Sequence, residues 1–183
     1  MKELKLIPPT DPRVLSMIAP FTDEALKEEG YKDRDELTEA MFMAMKKYGG
    51  IGLSANQVGL PFRMFVAGGH PQIENGLSLA MYNPTIKHMS EEVVMVKEGC
   101  LSFPFLFLDV KRPKKVIMEY EDSKGEKKEA SLDGMMARVC LHEYDHMQGL
   151  VFTEQVSKFR LQRAREKAQK MIKQASRRRK NGK

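Results

Sequence analysis

Apolar residues recur at helical spacing in three stretches of this chain, separated by shorter runs bounded by turn formers. Leu37, Met41, Phe42 and Met45 follow one another at intervals of three and four. That predicts a helix from about Glu36 to Tyr48, capped by Asp35 and ended by Gly49 and Gly50. From Gly134 to Leu150 the chain reads GMMARVCLHEYDHMQGL, without proline and with Gly149 placed as a terminus. Met135, Met136, Val139, Cys140 and Leu141 are spread around its wheel, so this helix is expected to be covered on several sides. A third pattern, Leu161, Ala164, Ala168, Met171 and Ala175 among basic residues, predicts a C-terminal helix docked along a thin stripe, running into a disordered end at 177–183.

Between these stretches the periodicity changes. Arg63–Ala67, Leu79–Met81, Thr85–His88, Val93–Val96 and Val116–Tyr120 read as short strands, the second and third interrupted at Asn83-Pro84. Gly68–Gly76 reads as a polar loop and Glu121–Lys128 as a hairpin turn. Residues 1–34, with Pro8, Pro9, Pro12 and Pro20, read as turns with a short helix near Arg13–Ile18. Short strands and internal helices without alternating βαβ units predict an α+β fold.

Composition adds little until charge is located. The 183 residues, 42% hydrophobic and 31% charged, suit one compact body. No apolar run is long enough to span a membrane. The N-terminal MKELKLIPPTDPRVL lacks the apolar core of a signal peptide, so a cytoplasmic location is expected. Cys100 and Cys140 alone do not suggest a disulfide framework. The net charge of +6 is uneven: residues 158–183 carry twelve Lys or Arg against one acidic residue, leaving 1–157 at −5. That divides the chain into a body, 1–157, and a basic segment, 158–183. The segment is either a solvated helix aiding solubility or a foot for a polyanionic, nucleic-acid-rich partner.

The chemistry concentrates in Leu141-His142-Glu143-Tyr144-Asp145-His146. Two imidazoles four residues apart on a helix face one side, where they can hold a metal while Glu143 handles protons. Asp145 offers a metal-free alternative, by pairing with a histidine or capping a neighbour. A third ligand would decide. Cys100, in Glu98-Gly99-Cys100-Leu101-Ser102-Phe103-Pro104, is the better candidate, because Cys140 lies two residues from His142 and roughly 200° round the same helix. As a lone cysteine it can also be a small core residue. In Gly50–Pro61 the glycines permit tight turns or close backbone approach, and Gln57 is either a core hydrogen-bonding residue or part of a site.

GIGLSANQVG at 50–59, EGCLS at 98–102 and HEYDHMQG at 142–149, with Asn83-Pro84 and Arg112 in order, resemble the peptide deformylase family. The resemblance implies antiparallel sheets packed around the helix bearing HExxH. It implies that Cys100, His142 and His146 bind one divalent metal, Fe2+ in most members, with Ni2+ or Co2+ as working substitutes and Zn2+ bound but less active. Glu143 would be the general acid/base, with Gln57 and the Leu101 N–H holding the developing oxyanion. Glu98 and Arg112 match a supporting ion pair. Gly50, Gly52, Leu53 and Gly99 lie along the peptide's path, with Met135 and Val139 lining the methionine pocket. The implied activity removes the formyl group from N-formylmethionyl peptides and nascent chains, releasing formate; a monomer with ribosome contact is the expected setting. Ser54 stands where alanine is usual, and FLFLDVKRPKKV after Pro104 is more aromatic than the family's common version.

Two rivals keep the same motif. A metallopeptidase shares HExxH, and a nucleic-acid-binding protein with a folding metal would need a fourth ligand, for which only His70 and His88 remain as histidines.

Overall fold

The computed structural model describes residues 3–71, 73 and 76–181. Its elements are α1 (Asp23–Glu28), α2 (Arg34–Lys47), β1 (Gly52–Ser54), β2 (Met64–Gly68), β3 (Ser78–Met89), β4 (Val93–Cys100), β5 (Phe103–Pro113), β6 (Lys115–Glu121), β7 (Lys127–Asp133), α3 (Gly134–Met147) and α4 (Lys158–Asn181). One antiparallel sheet has the order β1-β2-β3-β6-β7, and β4-β5 form a separate antiparallel pair. This is the expected α+β arrangement.

The helix with the two histidines lies between the sheets. Asp133 caps it by accepting the Gly134 N–H. Met136, Ala137, Cys140 and Leu141 pack with Phe65, Met81, Val116 and Met118 of the larger sheet. Burying each large side chain of this kind contributes roughly 1.5–3 kcal/mol. Toward the hairpin, Arg138 donates to the carbonyls of Val110 at 3.0 Å and Val94 at 2.7 Å, tying α3 to both of its strands. α4 crosses the hairpin, with Leu161, Ala164 and Ala168 against Leu106, Leu108 and Val110, as the stripe predicts.

Several expectations are corrected. Asp33, not Asp35, caps α2, because its extended backbone lets the carboxylate accept the Glu36 N–H at 2.9 Å. Residues 13–18 form no helix: the Ile18 N–H donates to Met147 O at 3.0 Å, committing that segment to the end of α3. Instead α1, unforeseen, starts at its Thr22 cap. Asn83-Pro84 does not divide a strand. Asn83 takes a positive φ of 48°, and irregular register at Tyr82/Thr85 lets β3 continue past the proline. β5 is not evident from the sequence, since phenylalanines on its outward face make both faces apolar and hide the alternation of buried Leu106, Leu108 and Val110 with exposed Phe105 and Phe107. The backbone of α4 is helical through Asn181, where a disordered end was expected; Gly182 and Lys183 lie outside the described residues, as do Gln72, Glu74 and Asn75 of the polar loop. No helix among the described residues is long and apolar enough to cross a membrane.

Candidate metal centre

Local geometry at α3 follows from its period. His142 and His146 project to one side with ring centroids 5.0 Å apart. Cys100, the last residue of β4, brings its thiol to 3.2 Å from His146 Nε2. Ligand-capable atoms of Cys100, His142 and His146 all lie within 4.8 Å of one another, the one such cluster found among the described residues. Metal bonds of about 2.0–2.3 Å in tetrahedral geometry separate ligand atoms by roughly 3.3–3.8 Å, so this trio fits a single ion. His70 and His88 are exposed and stand outside the cluster, which removes the fourth ligand the folding-metal rival needs. Cys100 and Cys140 form no disulfide, and Cys140 is buried in the core beneath the larger sheet.

Charge around the trio is arranged as strictly as its geometry. Glu98 accepts from Arg112 Nε at 2.6 Å and Nη2 at 3.1 Å, and from Arg138 Nη1 at 2.5 Å; its Oε2 lies 3.2 Å from His142 Nδ1. That bond orients the imidazole and leaves its Nε2 for a ligand. Burial alone would raise the Glu98 carboxyl, but hydrogen bonds from His142 and Arg112, with the arginine's charge, hold it at about 2. Burial alone would likewise depress His142, yet hydrogen bonds with Cys100 and Glu98 and the charge of Glu143 raise it to about 10. Such a setting attracts positive charge. His146 is held below the ordinary imidazole range by burial and by the charges of His142 and Arg112; both rings must be unprotonated to ligate, so a metal here would have to displace the proton that these surroundings favour on His142.

Glu143 is 4% exposed, and its Oε2 has no hydrogen-bond partner among the described residues. Burial raises its carboxyl to about 7 despite the opposing pull of His142 and the Ser54 amide. Gly52 admits it: a Cβ there would stand 2.5 Å from Glu143 Oε1 and 2.7 Å from Val139 Cγ1. Gln57 occupies a short 3-10 turn after β1. Its Oε1 accepts from the Ser54 amide at 3.0 Å and hydroxyl at 3.2 Å, and its Nε2 donates to Ser102 Oγ at 3.0 Å and Cys100 Sγ at 3.4 Å. Asn56 Nδ2 ties the same turn to His146 O at 2.7 Å.

These groups stand at one wall of a cleft of about 720 Å³, mainly apolar, whose lining includes Gly50, Gly52, Gly99, Leu101, Met135 and Val139. Leu53 is different: it is not part of that lining, and its side chain is fully buried in the core beside α2. Sequence reasoning missed Arg138, Ser102 and the partner of Asp145, which is Arg112 Nη1 at 2.8 Å rather than a histidine. A lone arginine inside MMARVCL was the available signal, since a charged residue amid apolar neighbours needs a counter-ion. Ser54, where alanine is usual, adds a hydroxyl that donates to Asn56 Oδ1 at 2.8 Å and stands 3.2 Å from Gln57 Oε1, beside the backbone bond that any residue there could make.

A thiol and two imidazoles meeting beside a buried carboxylate make this a metal-binding protein of the HExxH class. A family model described as polypeptide deformylase matches residues 15–162, and the chain belongs to that family. It is 33% identical over 160 residues to the peptide deformylase of Bartonella henselae, covering 87% of this chain and 86% of that protein. To the chloroplastic/mitochondrial peptide deformylase 1B of Arabidopsis thaliana it is 37% identical over 156 residues, 84% of this chain and 54% of that protein. It spans about half the length of the plant relatives it matches. A solved peptide deformylase from Ehrlichia chaffeensis, in complex with actinonin, aligns with a TM-score of 0.78 at 34% identity, over 93% of this chain and 98% of that one.

Proposed function

We propose that this protein hydrolyses the formyl group from the N-terminal formylmethionine of newly synthesised polypeptides, releasing formate. The observation that carries the reading is the meeting of Cys100 with His142 and His146 beside Glu143, at an apolar cleft, in a member of the polypeptide deformylase family. A divalent cation held by that trio would supply Lewis-acid polarisation of a carbonyl and make a water acidic near neutral pH. Glu143, buried and with a raised pKa, takes the proton of the attacking water and hands it to the departing amine. Water adds to the formyl carbon, the C–N bond breaks, and formate and a free N-terminus leave. Gln57 Nε2, giving up its 3.4 Å contact with Cys100 Sγ, and the Leu101 N–H donate to the oxygen that gains negative charge; the bond from the Ser54 amide to Gln57 Oε1 orients that side chain in advance.

The cleft separates β1, at the edge of one sheet, from β4, at the edge of the other. An extended peptide laid between Gly50–Gly52 and Gly99 could pair by backbone, with methionine toward Val139 and Met135. Backbone pairing plus one side-chain pocket suits nascent chains that share only their first residue. The decisive experiment measures formate from formyl-Met-Ala-Ser beside cleavage of an unblocked peptide. Internal fragments without formate would favour the peptidase instead.

The mixed thiolate and imidazole set suits Fe2+, the metal proposed, while Zn2+, Ni2+ or Co2+ can occupy such a site in preparations. Metal analysis of anaerobically purified protein tests this, and a zinc protein with full turnover would overturn it. A monomer acting in the cytoplasm completes the reading. α4 leaves Arg163, Arg165, Lys167, Lys170 and Lys173 exposed, a basic face suited to ribosomal RNA. Co-sedimentation with ribosomes that weakens steeply with salt is expected; salt-independent or absent binding would remove this part.

A further inference from the structure

Among the described residues, β4 pairs only with β5, so the edge of β4 on the other side carries no ladder. The two faces of this hairpin differ. Glu98, opposite Leu108, is buried against α3, whereas Gly99, opposite Phe107, belongs to the outward face with exposed Lys97 and Asp109. Directly opposed residues project to the same side. Gly99 has no side chain, and the Phe107 ring takes that room: a Cβ on Gly99 would lie 2.8 Å from Phe107 Cε1 and 3.0 Å from Cδ1. The ring therefore extends across β4 and lines the cleft, 52% exposed.

β5 is irregular at the same place. Cys100 pairs with Phe103 but Gly99 with Phe107, so Pro104, Phe105 and Leu106 have no partner in the ladder. Phe105 adopts a φ of 63°, a left-handed conformation unfavourable for a bulky residue, and strain of this kind gathers at functional sites. Leu106 enters the core while Phe105 stays 42% exposed on the cleft wall. Two half-wet aromatic rings beside a cleft form an apolar surface that a ligand can cover.

We infer that Phe107, assisted by Phe105, is a specificity-determining surface for the second residue of the substrate peptide, favouring a bulky apolar or aromatic side chain there. The inference rests on the deformylase reading. An extended chain along the open edge of β4 sends successive side chains to opposite faces. With methionine directed inward toward Val139, the second side chain falls on the face of Gly99, against the Phe107 ring.

The test compares kcat/KM for formate release from formyl-Met-Xaa-Ser, with Xaa as Phe, Leu, Ala or Asp, using the metal-loaded full chain. Covering roughly 55 Å² of apolar surface corresponds to about a ten-fold preference for Phe over Ala, expressed in KM more than in kcat. In Phe107→Ala the Phe/Ala ratio should fall toward one, and in Phe107→Tyr it should persist. Because the ratio is internal to each variant, a general loss of activity cancels. Equal efficiency for all four peptides, or a ratio unchanged in Phe107→Ala, overturns this inference alone. No formate from any of them overturns the deformylase reading and this inference with it.

Discussion

α3 and α4 both carry charged or ionisable residues beside an apolar stripe, yet their surroundings are opposite. In α3, Arg138, His142, Glu143 and His146 are buried, and Arg138 and His142 are held by Glu98 of another element. In α4 the apolar positions touch the hairpin while the basic ones stand in water. Burial makes the difference: an ionisable group inside must be paired, bound to a metal or shifted in pKa, whereas a solvated lysine is screened and individually replaceable. Changes to the polar residues of α3 should therefore be severe and specific, and changes to those of α4 mild.

The largest effect is expected at Glu143. Glu143→Ala should retain bound metal, measured by metal analysis, while formate release falls by about 10²–10⁴-fold. Near-normal turnover would remove its proton-transfer role. Next comes Glu98→Ala, which strands two buried guanidinium groups and should cost about 3–5 kcal/mol in urea unfolding. A loss under 1 kcal/mol would mean that water replaces the carboxylate.

The same carboxylate sets a pH dependence. Its pKa is lowered on folding, from 4.5 to about 2, so its stabilisation is fully present above about 4.5 and is lost as pH falls toward 2. That shift corresponds to roughly 3 kcal/mol, to be seen as a falling urea midpoint across this window in the native protein. The Glu98→Ala protein should show a flatter profile there. An equal slope in both would assign acid sensitivity elsewhere.

Smaller still is Ser54→Ala. Losing the hydroxyl that bonds Asn56 Oδ1 and approaches Gln57 Oε1, while the backbone bond to Gln57 remains, should lower kcat/KM by up to about ten-fold with little change in unfolding midpoint. The mildest change is truncation after Ala175, removing only residues beyond the docked stripe; hydrolysis of small peptides should be unchanged. Removal from Lys158 is a different experiment, because it uncovers Leu106, Leu108 and Val110 and should destabilise the body. If the shorter cut proved as damaging, the contrast between the two helices would fail.

Legibility followed the range of the interactions. Whereas the approach of the Cys100 thiol to the histidines is a distance that only the fold sets, the histidine helix and the stripe of α4 could be read because period and residue type are local properties. β5 could not, since only its partner strand and α4 distinguish the buried leucines from the exposed phenylalanines. Leu53, expected along the peptide's path, has its side chain in the core and lies outside the cleft lining, a distinction that depends on which face of β1 meets α2.

By itself the sequence determined the identity and spacing of the chemical groups: two imidazoles a helical turn apart, a carboxylate beside them, and a thiol after a strand. Tertiary structure alone decided their state. It brought Cys100 to His146, surrounded Glu98 with two arginines and a histidine, and buried Glu143 at the wall of the cleft. Covalent order sets which groups exist, but protonation and coordination depend on distance and dielectric, and those arise only when separate elements pack together.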